Sequence, residues 1–236
     1  MQNAVAAFKF LVLGDRFTSD RFSPERVGLG APYFPLVGLV FGVVLAILNR
    51  VLEPYLESEI LAVVLVTFLI FMTRAAHLAG TQKTFDASIA TNSAAPADRP
   101  IGIYGLLAIL LLILFKSRSI EVIGETRSLS LLLTPVFARW SLVIFLYGST
   151  SATDNSARHI AENVRAWHLL VATAATLSMA VFLVGSLGLW IGLCLSLFAL
   201  LSRGCLRWRG VDFTCNHFGA LIELSETLSF ALFAAL

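Results

Sequence analysis

The residues that could do chemistry lie in three short polar segments between long apolar runs. The first segment runs from His77 to Asp86 (HLAGTQKTFD), the second from Asp98 to Gly102 (DRPIG) and the third from Arg207 to Ala220 (RWRGVDFTCNHFGA). Carboxylates beside phosphate groups are the oxygen ligands that divalent cations use in phosphoryl chemistry. Each acid is also consistent with a solvated loop residue or a helix cap, so both interpretations stay open.

The third segment adds Thr214, Asn216 and His217 at the start of the last apolar run. These side chains are hydrogen-bonding or metal-ligating types. Cys215 lies close to His217, but this spacing lacks the paired ligands of a zinc site. The basic start of the segment is equally consistent with contact to anionic lipid headgroups.

Ionisable residues inside the apolar runs are a second group of candidates. Arg139 lies deep in one run, and Glu223 and Glu226 share a helix face in the last run because they are three residues apart. Charges inside a membrane are costly and are usually paired or functional. For Arg139 the sequence leaves two interpretations open, a structural pair with Glu223 or Glu226 and a contact to phosphate.

The composition indicates what must position these residues. Of the 236 residues, 58% are hydrophobic and only 14% are charged, which excludes a water-soluble globular enzyme. Three cysteines are too few for a disulfide scaffold, and a net charge of +2 excludes a nucleic-acid partner. Because the apolar runs are continuous and do not alternate, we predict an all-α, polytopic membrane bundle in the lipid bilayer.

The apolar runs predict seven membrane spans in a single domain, residues 1–236. A crossing needs about 20 apolar residues, and the long run after residue 168 is divided at Gly185. The segment 1–33 is predicted to be cytoplasmic or interfacial. The spans are predicted near residues 35–52, 60–78, 101–115, 129–147, 169–184, 187–201 and 218–236.

Lysine and arginine set the expected orientation. They concentrate in the N-terminal segment and in the loops after the second, fourth and sixth spans. The opposite side is expected to hold Arg50, Lys116, Arg118 and Arg127. The positive-inside rule then predicts a multi-pass protein of the inner membrane with a cytoplasmic N-terminus.

Several segments along the chain resemble, in the same order, segments of the bacterial cobalamin synthase family, the adenosylcobinamide-GDP ribazoletransferases. His77 to Asp86 is similar to the family's acidic His-Leu-Asp-Gly motif, and Asp98 to Gly105 is similar to its Asp-Ser-Arg-Ile-Gly segment. Gly210 to Glu226 resembles its Gly-Asp-Thr-Leu-Gly-Ala region and closing acidic helix. Tyr33 to Gly42 and Arg139 fall where the family has its first span and a mid-span arginine.

The resemblance implies a transferase that joins α-ribazole or its 5′-phosphate to adenosylcobinamide-GDP and releases GMP, with Mg²⁺ neutralising charge on the pyrophosphate. The implied partners are a corrinoid nucleotide and α-ribazole, and the oligomeric state, including a homo-oligomer, stays open. The implied catalytic residues are Asp86, Asp98 and Lys83. The implied metal ligands are Asp86, Asp98 and Asp212. The implied substrate-binding residues are His77, Arg99, Arg139, Thr214, Asn216, Glu223 and Glu226.

The acidic motif is degenerate in this chain. Ala79 and Lys83 stand where the family motif has aspartates, Pro100 replaces an arginine, and Asn216 replaces an aspartate. An ammonium at position 83 would repel a bound cation. Two alternatives therefore stay open, a catalytically lapsed paralogue that binds a corrinoid, lipid or protein partner, and a phospho-group transferase acting on a lipid alcohol.

Overall fold

The computed structural model describes residues 2–13, 23–89, 102–149 and 152–236, and these residues form a bundle of α-helices. Within these ranges the one extended pairing is an isolated β-bridge between Ala152 and Phe213. The all-α prediction is confirmed. The helices are Gln2–Leu13 (α1), Pro24–Leu29 (α2), Phe34–Leu52 (α3), Ser58–Met72 (α4), Ala76–Ile89 (α5), Ile103–Val122 (α6), Arg127–Leu146 (α7), Asn155–Glu162 (α8), Ala166–Val184 (α9), Ser186–Trp208 (α10) and Cys215–Ala235 (α11).

Six of the described helices are long and apolar enough to cross a membrane, namely α3 with its preceding turn, α6, α7, α9, α10 and α11. The pair α4 and α5 meets the same criterion only together, and the two helices meet at an angle of 88°. The described chain therefore has six candidate crossings, or seven if the bent pair crosses once, which agrees with a multi-pass membrane protein.

The span expected near residues 60–78 is interrupted between α4 and α5. α4 ends at Met72, and Arg74 (φ 49°) and Ala75 (φ 56°) have left-handed backbone conformations that cannot continue a right-handed helix. The Thr73 hydroxyl donates to the Ile70 carbonyl oxygen over 3.1 Å, which offers the backbone an alternative to the helical bond. As a result, α5 turns away from α4 and carries the first polar segment across α6 and α11.

The span expected near residues 101–115 continues to Val122 as α6. Lys116, which the charge count assigned to a loop, is therefore inside the helix, and its side chain is buried. The apolar criterion stopped at this lysine because hydropathy does not record that two acids neutralise it.

Close helix crossings depend on glycine. A Cβ atom added at Gly38 or Gly42 of α3 would overlap the backbone of α7, because this Gly-x-x-x-Gly face lies directly on Pro135 and Leu132. A Cβ at Gly80 of α5 would come within 2.8 Å of the Asn216 carbonyl oxygen of α11. The Gly80 crossing brings the first and third polar segments together.

The break predicted at Gly185 separates α9 from α10. Gly185 has φ 60°, a conformation that favours glycine, and it ends α9 and precedes α10. Gly188 then packs on Ala180, where a Cβ would approach to 2.8 Å. The two helices consequently form an antiparallel pair.

Candidate functional site

A groove lies between the C-terminal half of α5 and the junction of α10 with α11. Its volume is about 570 Å³, within the range of small-molecule sites. We call it the α5–α11 groove, and its lining residues are Thr84, Ala87, Ser88, Cys205, Leu206, Trp208, Arg209, Val211 and His217. It therefore joins the first and third polar segments of the sequence.

His217 is oriented by the first turn of α11. Its Nδ1 accepts the backbone N–H of Thr214 over 3.0 Å and also contacts the Thr214 hydroxyl at 3.0 Å. Because Nδ1 accepts this bond, the proton of the neutral ring is on Nε2. His217 is thus set to offer an N–H donor to a ligand in the groove, beside the cationic Arg209.

A smaller cavity of about 20 Å³ lies between α5 and α11 and is lined in part by His77, Asn216 and Gly80. This volume is enough for one water molecule. His77 is buried, and its Nδ1 has no hydrogen-bond partner among the described residues, so a water molecule in the cavity would satisfy it. His77 and Asn216, two of the residues named from the sequence, therefore line the same cavity.

Asp86 lies on the same helix as the groove residues, but its carboxylate faces the start of α6. Oδ1 accepts the backbone N–H of Gly105 over 2.7 Å, and Oδ2 accepts that of Gly102 over 3.0 Å. Oδ2 also accepts the side-chain amide of Gln82 over 3.1 Å. Three donors therefore occupy most of the carboxylate's hydrogen-bonding capacity.

Glu223 and Glu226 lie in the interior of the bundle with two cations. Lys116 Nζ lies 2.7 Å from Glu223 Oε2 and 2.8 Å from Glu226 Oε2, while Arg139 pairs with Glu226 Oε1. All four side chains are almost completely buried. We call this group the ion cluster; it ties α6 and α7 to α11, and the pairs neutralise charges that would otherwise be very costly in a membrane.

Arg139 has further bonding capacity inside the ion cluster. Its guanidinium lies over the Phe41 ring at 4.9 Å, and its Nε and Nη2 have no hydrogen-bond partner in the part of the chain that is described. Of the two interpretations left open for Arg139, the structure contains the ion pair with Glu226. No residue of the α5–α11 groove belongs to the ion cluster.

The predicted site residues therefore occupy separate places. Along α6, the contacts of Asp86 near Gly102 and of Glu223 at Lys116 are roughly 20 Å apart at 1.5 Å per residue. Lys83 is exposed on α5, and Asp212 is exposed in the loop before α11. Asp98 and Arg99 lie outside the described residues.

The site residues predicted from the sequence did not include Lys116 of the ion cluster or Arg209 and His217 of the groove. Lys116 was placed in a loop, although its spacing from Leu112 and Ile120, both buried on α6, was a helical signal. From the sequence, Arg209 was only part of a basic segment and His217 only a hydrogen-bonding or metal-ligating side chain. The groove that they share depends on how α5 crosses α11.

The fit of a divalent cation can be tested on the donor set. Among the described ranges, no three His, Cys, Asp or Glu side chains are grouped closely enough to hold a metal ion. Asp86 is engaged by three N–H donors at the positive end of a helix dipole, which disfavours a neighbouring cation. The described acids therefore do not form a preformed site of three or more protein ligands.

Comparison with known proteins identifies the family. The sequence profile described as cobalamin-5-phosphate synthase matches residues 5–234. An adenosylcobinamide-GDP ribazoletransferase of Syntrophobacter fumaroxidans is 32% identical over 229 residues, which cover 90% of this chain and 89% of that protein. A protein of the same name from Geotalea daltonii is 27% identical, with coverage of 94% and 92%. No solved structure matches the chain. The chain belongs to the cobalamin-5-phosphate synthase family.

Proposed function

We propose that this chain is a membrane-bound transferase that joins α-ribazole, or its 5′-phosphate, to adenosylcobinamide-GDP with release of GMP. The observation that carries the proposal is the family match over residues 5–234, supported by relatives of this name that align over most of both chains. The multi-pass helical fold and a groove of small-molecule size are consistent with it.

The α5–α11 groove is the proposed binding site for the phosphate-bearing substrate. Arg209 supplies positive charge, His217 supplies an N–H donor, and both face the hydroxyl-bearing end of α5. Thr84 Oγ1 is buried without a hydrogen-bond partner among the described residues, so a phosphate or ribose oxygen would satisfy it. Cationic and hydrogen-bond donors of this kind stabilise charge on a transferring phosphoryl group.

The reaction is a substitution at phosphorus. The hydroxyl oxygen of α-ribazole attacks the phosphorus bound to cobinamide, and a new P–O bond forms. The P–O bond to the bridging oxygen breaks, GMP leaves with that oxygen, and the hydroxyl proton passes to water. In this mechanism the chain contributes mainly by holding the two substrates in line and by neutralising charge.

Magnesium, the catalytic or ligand roles of Lys83, Asp98 and Asp212, and the substrate-binding role of Arg99 stay predictions from the resemblance. Asp212 is exposed at the loop that borders the groove, which leaves it accessible to a cation brought in with the substrate's phosphates. The mechanism above assigns no step to such a cation.

We also propose an inner-membrane location with a cytoplasmic N-terminus. Because Lys116 is inside α6, the opposite side carries one fewer basic loop residue than the sequence count assumed. The charge asymmetry that supports this orientation is therefore larger. In this orientation the α5–α11 groove faces the cytoplasm, where nucleotides are available.

The test is a product assay on the purified chain in lipid nanodiscs. With adenosylcobinamide-GDP, α-ribazole and Mg²⁺, we expect GMP and one joined corrinoid product in equal amounts, measured by chromatography and mass spectrometry. Absence of GMP would contradict the proposal and favour a lapsed paralogue. A corrinoid product formed with lipid in place of α-ribazole would instead identify the lipid-alcohol transferase.

Arg209→Ala tests the groove itself. Losing a charge-assisted contact to phosphate should lower kcat/KM by about 10- to 100-fold. The matched control is Arg50→Ala. Arg50 is an exposed arginine in the last turn of α3 and does not line the groove, so this change should leave kcat/KM unchanged. Equal effects of the two changes would remove the groove from the substrate site.

A further inference from the structure

The start of α6 is capped by a side chain that belongs to another helix. The N-cap residue of α6 is Gly102, which has no side chain to accept the free N–H groups of the first turn. Asp86 of α5 does this instead, because its two carboxylate oxygens accept the N–H groups of Gly102 and Gly105. The bonds join residues 16 and 19 positions apart in sequence.

Both glycines are needed for this contact. A Cβ atom added at Gly102 would overlap the Asp86 carboxylate, and all of its nearest neighbours belong to that group. Gly102 has φ −71° and ψ 150°, which any residue can adopt, so the contact with the carboxylate and not backbone strain disfavours a side chain here. A Cβ at Gly105 would come within 2.6 Å of Asp86 Oδ2 and of the Gln82 backbone oxygen.

The electrostatics of this place favour an anion and disfavour a cation. The first N–H groups of α6 carry the positive end of the helix dipole, and Asp86 compensates it. Gln82 adds a third donor to the same carboxylate at 3.1 Å. A divalent ion would have to compete with these three donors for the carboxylate and lie next to the helix terminus.

We propose that Asp86 is a positioning residue, the N-cap of α6 supplied from α5, and that it does not ligate a cation in this chain. It locks α5, which forms one wall of the groove, to α6, which carries Lys116 of the ion cluster. The replacement of the other motif acids by Ala79 and Lys83 fits this role, since a lone carboxylate used as a cap needs no acidic neighbours.

A double-mutant cycle tests the cap without reference to catalysis. Asp86→Ala removes the cap, and Gly102→Ala displaces the carboxylate, so each should lower the melting temperature in detergent by about 2–6 °C. The double variant should melt no lower than the less stable single variant, because both changes remove the same interaction. Additive losses would overturn the proposal.

Two glycine variants serve as controls for this cycle. Gly124→Ala should leave the melting temperature nearly unchanged, because no atom lies within 4 Å of the added Cβ. Gly105→Ala should stay destabilising even with Asp86→Ala, because its Cβ also meets the Gln82 backbone. Full recovery of Gly105→Ala in the Asp86→Ala background would contradict the geometry on which the cap is based.

Asp86→Asn separates a cap from a ligand. Asparagine keeps one of the two acceptor oxygens that cap the first turn of α6, but it lacks the second oxygen and the negative charge that a divalent ion requires. We expect this variant to melt closer to the wild type than Asp86→Ala does, and to bind Mn²⁺, measured by EPR without substrate, within about twofold of the wild type. A tenfold loss of Mn²⁺ affinity at wild-type melting temperature would identify Asp86 as a ligand. Because neither readout needs turnover, they decide the question even if GMP release fails.

Discussion

At the scale of single residues, the ion cluster is balanced within the bundle. Lys116 and Arg139 supply two positive charges, and Glu223 and Glu226 supply two negative charges. Lys116 is shared by both acids, which holds two carboxylates of one helix face close together. Removing one member would leave a buried charge without its partner, which costs more than the net worth of the pair.

Lys116→Met should therefore be strongly destabilising. We expect a loss of about 3–5 kcal/mol, seen as a lower melting temperature or as aggregated protein in size-exclusion chromatography. Arg118→Met on the same helix is the control. The Arg118 side chain is 63% exposed, so its ion pair with Glu121 contributes at most about 1 kcal/mol.

The double variant Lys116→Met with Glu223→Gln keeps this prediction testable if the single variant does not fold. It removes one charge of each sign and leaves the pair of Arg139 with Glu226. We expect it to recover part of the lost stability. A double variant less stable than Lys116→Met would indicate that charge balance is not the reason for the cluster.

At the scale of helices, the sharp bend between α4 and α5 decides where the first polar segment lies. A straight continuation of α4 would carry His77 and Asp86 along the same axis, away from the start of α11. The 88° bend instead lays α5 across α11 at Gly80. The bend is made by two left-handed residues that are not glycine, Arg74 and Ala75, and each adds strain.

Ala75→Gly should stabilise the protein. Its φ of 56° favours glycine, and relief of the strain should raise the free energy of unfolding by about 1 kcal/mol. Ala79→Gly, inside α5, is the matched control and should lower it by about 0.5–1 kcal/mol. Thermal unfolding in detergent measures both, and two shifts of the same sign would contradict the backbone argument.

At the scale of the whole molecule, the number of crossings depends on the same bend. α4 has 15 residues, about 22 Å of helix, which spans most of a hydrocarbon core of about 30 Å. If α4 crosses and α5 lies near one surface, the chain crosses seven times and its ends lie on opposite sides. The α5–α11 groove then opens at the surface where α5 lies.

Labelling of Cys205 tests the proposed orientation. Cys205 is exposed near the end of α10, beside the groove. A membrane-impermeant maleimide should label it in inverted vesicles and not in sealed right-side-out vesicles. Glu53→Cys in a Cys205→Ser background should show the opposite pattern, because Glu53 follows the other end of α3. Labelling of Cys205 in sealed right-side-out vesicles would contradict the proposed orientation and support the opposite one.

The sequence alone was enough to predict that this protein lies in a lipid bilayer and where most of its helices are. Long apolar runs, few charges and the break at Gly185 are properties of neighbouring residues, and they predicted a helical membrane bundle without long-range information. The same physics required that Arg139 and the two acids be compensated, because uncompensated charge is too costly in lipid.

Only the tertiary structure decided which partners these residues have. From the sequence, Lys116 marks the end of a span, whereas in the structure it pairs with two carboxylates of α11. From the sequence, Asp86 is a loop acid or a ligand, whereas in the structure its carboxylate accepts N–H groups at the start of α6. These contacts join residues 107 and 19 positions apart, and they depend on helix crossings set by glycine contacts and by one backbone bend. Local pattern records neither distance nor direction between helices, so it names the charged groups but not the pairs they form.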